Sequence, residues 1–241
     1  MQPGLFAALL GLALPLAAQY PRTITFSGYD WSVKTSAGRV GPGPNYFSDS
    51  ANNVWVDTAG RLHLKITKSG GKWISAEVVN KLSLGNGTYR FYLASPVDNL
   101  DPNAVLGLFT WNDAADYNHR EIDIEFSRWG NARDATNGQY VVQPYDVAGN
   151  LVRFTEPAST PDSVHSFFWG PASIYHRSVK GTDAATTDPA KLIAEHTFTA
   201  FVPVPGGENA RLNLWLYQGR APVNRTSVEV IISRFEFVAA P

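Results

Sequence analysis

Three carboxylates recur at every second position in Glu121-Ile122-Asp123-Ile124-Glu125-Phe126, and two is the period of a β-strand. Glu121, Asp123 and Glu125 therefore share one face. Ile122, Ile124 and Phe126 share the other, where they can enter a core. Alternate residues on one face stand roughly 6.7 Å apart at the backbone. With an effective dielectric of about 20, each adjacent charged pair then repels by roughly 2.5 kcal/mol. Asp and Glu are also depleted in strands, so stability alone rarely selects this pattern. Acid–base chemistry does, because crowded carboxyls drive their pKa values apart and hold one protonated beside another ionised. The competing reading is a solvated strand face whose acids happen to fall in phase. Arg120 and Arg128 flank the run, but neither shares its phase closely enough to neutralise all three acids. Trp111 and Trp129 bracket it, and aromatic faces beside paired carboxyls suit a sugar.

Convergence is the geometric requirement. Residues four apart in a strand are roughly 13 Å apart at the backbone. Two carboxyls that act together on one bond must come much closer than that. The order Glu, Asp, Glu puts the longer side chains at the two ends, where they must lean together over Asp123. Spacing alone is nearly symmetric and does not say which Glu is the nucleophile.

The elements that must position these groups read as strands throughout. Short alternating segments separated by Gly, Pro, Asn and Asp predict an all-β sandwich, with no long helix and no internal repeat. Residues 61–67 alternate cleanly, residues 88–93 put Tyr89, Phe91 and Leu93 on one face, and residues 105–111 are apolar on both faces, as in a central strand. Residues 228–238 alternate and then change phase near Ser233-Arg234, which predicts a bulge. Gly85-Asn86-Gly87 reads as a turn, Gly41-Pro42-Gly43-Pro44 as a loop, and residues 180–189 as a second, polar loop. In Arg211-Leu212-Asn213-Leu214-Trp215-Leu216-Tyr217 the leucines take one face, while Asn213, Trp215 and Tyr217 take the other. Amides and aromatics on one face offer a sugar hydrogen bonds and stacking. Such residues also simply pack well in strands.

The run His119-Arg120-Glu121-Ile122-Asp123-Ile124-Glu125-Phe126 resembles the catalytic signature of glycoside hydrolase family 16. It is similar to the Glu-x-Asp-x-Glu form of lichenases and xyloglucan endotransglycosylases, without the extra bulge residue that laminarinases and agarases carry before the last Glu. Leu106-Gly107-Leu108-Phe109-Thr110-Trp111, Ser75-Ala76-Glu77, Phe168-Trp169 and Leu212-Asn213-Leu214-Trp215 resemble further segments of that family. The resemblance implies a concanavalin-like jelly-roll β-sandwich of two curved antiparallel sheets, with an open cleft for an internal stretch of polysaccharide. It implies Glu121 as nucleophile, Glu125 as general acid and then base, and Asp123 as the auxiliary carboxyl between them. Glu77, Trp111, Trp129, Asn213, Trp215 and Asn45 are the expected substrate contacts. The expected activity is retaining endo-hydrolysis of β-1,3/1,4 or β-1,4 linkages in a glucan. A transglycosylase on the same site, or a lectin-like jelly-roll without turnover, are the alternatives. No cofactor is required, and a structural calcium ion away from the cleft is compatible with the family but has no assigned ligands. Two departures bear on substrate. Lichenases carry an Arg where this chain has Val79, and they follow the signature with Leu-Gly where this chain has Ser127-Arg128-Trp129-Gly130.

Composition narrows the remaining classes. The net charge of −1 comes from scattered Lys and Arg against Asp and Glu, not from the basic patch a nucleic acid requires. With no cysteine in the chain, disulfides, zinc-thiolate sites and thiol nucleophiles are excluded. The five histidines lack metal-ligand spacing. Residues 5–16 are apolar, too short to span a membrane, and followed by Ala17-Ala18-Gln19. They read as a secretory signal over residues 1–18, although no Lys or Arg precedes them. Residues 19–241 then form one catalytic domain, secreted and expected to act as a monomer. Asn86-Gly87-Thr88 and Asn224-Arg225-Thr226 match glycosylation sequons.

Overall fold

The computed structural model describes residues 17–158 and 160–241, so the apolar run at residues 5–16 lies outside the described residues. Among these, sixteen strands form in the order β1 (Gln19–Phe26), β2 (Tyr29–Thr35), β3 (Tyr46–Phe47), β4 (Val54–Val56), β5 (Leu62–Ser69), β6 (Lys72–Asn80), β7 (Gly87–Leu93), β8 (Ala104–Trp111), β9 (Ile122–Phe126), β10 (Gly138–Val142), β11 (Leu151–Phe154), β12 (Ser163–Trp169), β13 (Ile174–Lys180), β14 (Leu192–Phe198), β15 (Asn209–Leu216) and β16 (Val228–Ala239). The alternating segments expected at residues 61–67, 88–93, 105–111 and 228–238 fall on β5, β7, β8 and β16.

Pairing separates two layers. One runs β11-β10-β9-β8-β15-β6-β2-β1 and carries the signature on β9; the other runs β14-β13-β12-β7-β16-β5-β4. The β5–β6 hairpin passes from one layer to the other. Every pairing is antiparallel except that of the two-residue β3 with β6, which is parallel. The expected phase change in β16 is present as a register shift between Ile232 and Arg234.

Between the layers lies one large core. Ile122, Ile124 and Phe126 are fully buried, and so are Leu106, Leu108, Leu212 and Leu214 on the neighbouring strands. Phe91, Phe167 and Trp169 close the same core from the opposite layer. Each such side chain contributes about 1.5–3 kcal/mol on burial, and together they fix which face of β9 carries the acids. His165 and His176 also sit in this core at 0% exposure. His165 is held between Ser163 and Ser178, each at 2.8 Å, and burial lowers both rings to about 3, so both are neutral. They are structural histidines.

Candidate active site

Register places the outward residues of the signature layer in rows that run across the strands. Glu125 lies opposite Gly107 on one side and Gln139 on the other. The row continues through Asn213 to Glu77 in one direction and to Arg153 in the other. A second row passes from Val79 through Arg211 and Phe109 to Asp123. Gly107 keeps the floor open at the first row, since a Cβ there would stand 2.5 Å from Asn213 Oδ1. The acids thus occupy the floor of a cleft, not a solvated edge.

Glu121 enters just ahead of β9, in extended backbone (φ −86°, ψ 122°), from an unusual turn. Tyr117, Asn118, His119 and Arg120 all have positive φ, between 51° and 62°. Left-handed backbone costs roughly 1–2 kcal/mol per non-glycine residue, so surrounding contacts must hold it. Thr110 Oγ1 donates to the Arg120 carbonyl at 2.8 Å, and Arg120 Nε donates to the Val204 carbonyl at 2.8 Å. The His119 ring lies flat on Trp111, with centroids 4.0 Å apart and planes 7° apart. Arg120 therefore braces the turn and does not neutralise the acids.

Burial pushes all three carboxyls up. Glu121 rises to about 8, first through desolvation and then through repulsion by Glu125. Asp123 is raised well above the usual range by burial and by both glutamates. Glu125 rises to about 7 through burial, opposed by Gln139 and Arg153. Gln139 Nε2 donates to Glu125 Oε2 at 2.7 Å, while its Oε1 accepts from Trp129 Nε1 at 3.2 Å and Arg153 Nη1 at 3.1 Å. Two donors on the amide oxygen fix which end of Gln139 faces the acid. Gln143 Nε2 donates to Asp123 Oδ2 at 3.3 Å. The arrangement favours carboxyls that hold and pass protons near neutral pH.

Glu77 is 1% exposed. It pairs with Lys34 at 2.9 Å and lies 3.6 Å from Arg211, whose other terminal nitrogen reaches Asp113 at 3.1 Å. Among the described residues, two buried polar atoms beside it have no partner, Arg211 Nε and Asn213 Oδ1. Such atoms are costly in an apolar setting.

A cavity of about 350 Å³ brings together Glu77, Trp111, Glu121, Asp123, Glu125, Asn213 and Trp215. Trp129 borders a second cavity that begins at Glu125 and includes Gln139, Gln143, Tyr145 and Tyr217. It packs edge-on to Trp215 and Tyr217 on the cleft side of the sheet. Asn45 does not join them. Its amide donates to the carbonyls of Pro42 and Leu216, and its oxygen accepts from Ser75 Oγ and the Leu216 amide. Asn45 is 2% exposed and spent on structure; its expected contact with substrate is corrected to a brace for the loop. The loop itself reaches the site, because Gly41 and Pro42 line the cavity. Sequence reasoning missed Arg211, Gln139, Gln143 and Lys34. Arg211 shares the phase of Asn213 and Trp215 and was open to detection; the other three depend on strand pairing. Among the described residues no group of three or more His, Cys, Asp or Glu could hold a metal ion, and none of them is assigned to calcium.

No family model and no curated protein matches the chain. Among solved structures it is similar to a Bacillus licheniformis β-glucanase, with TM-score 0.66 and 20% identity over 95% of this chain and 100% of that one. A prokaryotic β-1,3-1,4-glucanase (lichenase) from a mouse hindgut metagenome gives 0.63 and 21% over 93% and 99%. A Mycobacterium tuberculosis protein described as an immunostimulatory antigen and pseudo β-1,3-glucanase gives 0.65 and 19% over 88% and 91%. At these identities the similarity shows the fold, and it is the jelly-roll sandwich that the resemblance implied.

Proposed function

We propose that this chain is a secreted, retaining β-glycoside hydrolase that cleaves a β-linked glucan by double displacement. One observation carries the reading: Glu121, Asp123 and Glu125 lie in phase on a cleft floor, partly or fully buried and raised in pKa, among amides and indoles. The three carboxyls titrate as one coupled set, and in its productive protonation state ionised Glu121 attacks the anomeric carbon while protonated Glu125 gives its proton to the departing glycosidic oxygen, leaving a glycosyl ester on Glu121. Glu125, now ionised, takes a proton from water as that water attacks the same carbon and releases Glu121. Asp123 stands beside Glu121 and opposes simultaneous ionisation of the pair. The assignment of roles follows the family resemblance, and the glucan class draws on the neighbours' descriptions. The scheme asks for no cofactor. Export fits a polymer substrate outside the cell, and no helix among the described residues is long and apolar enough to cross a membrane.

The second reading, a carbohydrate-binding protein without turnover, is favoured by the description of one neighbour as a pseudo-glucanase. Purified protein and its Glu121→Gln variant, incubated with mixed-linkage β-glucan, β-1,3-glucan and xyloglucan, separate the two. The hydrolase reading expects new reducing ends from the native chain alone. Retention of polysaccharide with no release by either protein would replace it with the binding reading.

A further inference from the structure

Glu125 has to hold a proton in the first half of the reaction and be without it in the second. Burial favours the proton, while Gln139 and Arg153 oppose it. Those two residues come from β10 and β11. Gln139 lies opposite Glu125, and Arg153 lies opposite Gln139. On β11 Phe154 turns into the core, while Leu151, two residues from Arg153, lines the cleft side. Two strand spacings of about 4.8 Å separate Arg153 from the acid, and Gln139 spans the interval. It donates to Glu125 Oε2 at 2.7 Å and accepts from Arg153 Nη1 at 3.1 Å.

An amide has a donor end and an acceptor end. Its donor end stabilises a carboxylate; its acceptor end would stabilise the protonated acid instead. Which end faces Glu125 therefore decides how firmly the acid keeps its proton. Arg153 offers only donors, so the Gln139 oxygen turns to it. The second donor on that oxygen, Trp129 Nε1, stands on a loop that Arg153 also holds. Arg153 Nη2 donates to the carbonyls of Ser127 and Thr136, at 3.1 and 2.8 Å, and to Asp134 Oδ2 at 3.3 Å. Its Nε donates to Thr136 Oγ1 at 2.9 Å. Ser127 Oγ in turn accepts from the Trp129 backbone amide at 2.9 Å. All three guanidinium nitrogens are engaged, and both hydrogen bonds to the Gln139 oxygen depend on them.

The other charged groups around Glu125 are Glu121 and Asp123 beside it and, across β8, the Lys34–Glu77 and Arg211–Asp113 pairs. Tyr145 and Tyr217 border the remaining side. Among the described residues, Arg153 is the cation joined to Glu125 through one intervening side chain. We propose that Arg153 is a positioning residue for the acid: by gripping both Gln139 and the loop that carries Trp129, it keeps the donor end of the amide on Glu125 and lets that group serve as the base in the second half of the reaction. This rests on the hydrolase reading above.

The test is the pH dependence of kcat/KM, with Tm measured beside it, on whichever of mixed-linkage β-glucan, β-1,3-glucan and xyloglucan the native chain cleaves fastest. Arg153→Met should move the basic limb to higher pH by about one unit, a tenfold change in proton affinity. Combined with Gln139→Leu, it should move the limb by less than the two single shifts together. A limb that stays in place in Arg153→Met while Tm falls would reduce Arg153 to a brace for the loop and overturn the proposal. Fully additive shifts would overturn it too, since Arg153 would then act by its charge alone and not through Gln139. Where Arg153→Met fails to fold, Asp134→Asn decides. It removes a carboxylate that competes for the guanidinium, so the limb should move to lower pH, and an unmoved limb would sink the role given to Arg153. No release by the native chain from any of the three polymers would overturn the hydrolase reading itself, and this role with it.

Discussion

Arg211 is the antiparallel partner of Val79, and its guanidinium lies 3.6 Å from the Glu77 carboxylate. The Arg that lichenases carry at the position of Val79 is thus matched here by an Arg on the adjacent strand, facing the same acid. Arg211 also lines the cavity that holds the three acids, where its guanidinium can meet a sugar hydroxyl. Arg211→Met should raise KM and lower kcat/KM by about 10- to 100-fold, the equivalent of one charge-assisted hydrogen bond of ~1.5–3 kcal/mol. Steady-state kinetics on the preferred glucan measures this, and an unchanged KM would remove Arg211 from the binding surface.

Lys34 and Glu77 form an ion pair that is almost wholly shielded from water. Removing one partner strands the other charge, which typically costs ~3–5 kcal/mol; Arg211 nearby should hold Lys34→Met to the lower part of that range. A fall in Tm of roughly 6–12 °C is expected for a chain of this size. The double variant Lys34→Met, Glu77→Gln should recover part of it, since Arg211 keeps Asp113 as a partner.

Gln139 stabilises the ionised form of Glu125 by donating to it. Gln139→Leu removes that donor, so the Glu125 pKa should rise above about 7. The basic limb of the kcat/KM profile, which reports loss of the acid's proton, should move to higher pH. Movement to lower pH would contradict the assignment of Glu125 as the acid.

Glu121 links the site to stability. Its folded-state pKa of about 8 lies above the ordinary value of 4.5, so between those values the folded chain holds a proton that the unfolded chain releases. Stability therefore falls as pH rises from about 4.5 to about 8. Glu121→Gln abolishes that loss. The variant should gain little in Tm at pH 4 and clearly more at pH 8, about 2–4 °C for each ~1 kcal/mol relieved. An equal gain at both pH values would mean that Glu121 is not desolvated.

Much of this was legible in the sequence because period-two alternation reports directly on which face is buried. It located β9, the leucine face of β15 and the bulge in β16, and it placed Asn213, Trp215 and the acids on the cleft side. Pairing between distant strands leaves no such trace. Gln139 and Gln143 meet the acids only because β10 lies beside β9, and Lys34 meets Glu77 across 43 residues of chain. Asn45 misled because a polar residue next to a cleft loop looks the same in sequence whether it faces ligand or carbonyls.

The measurement closest to the central claim is rescue by azide of Glu121→Ala and Glu125→Ala, each with an aryl β-glucan oligosaccharide that has a good leaving group. If Glu121 is the nucleophile, its removal opens the α face, and azide should restore turnover as the α-glycosyl azide. Removal of Glu125 should leave the glycosyl ester on Glu121 to be attacked from the β face, giving the β-glycosyl azide. Reversed anomers, or no rescue of either variant while the native chain turns over, would contradict these roles.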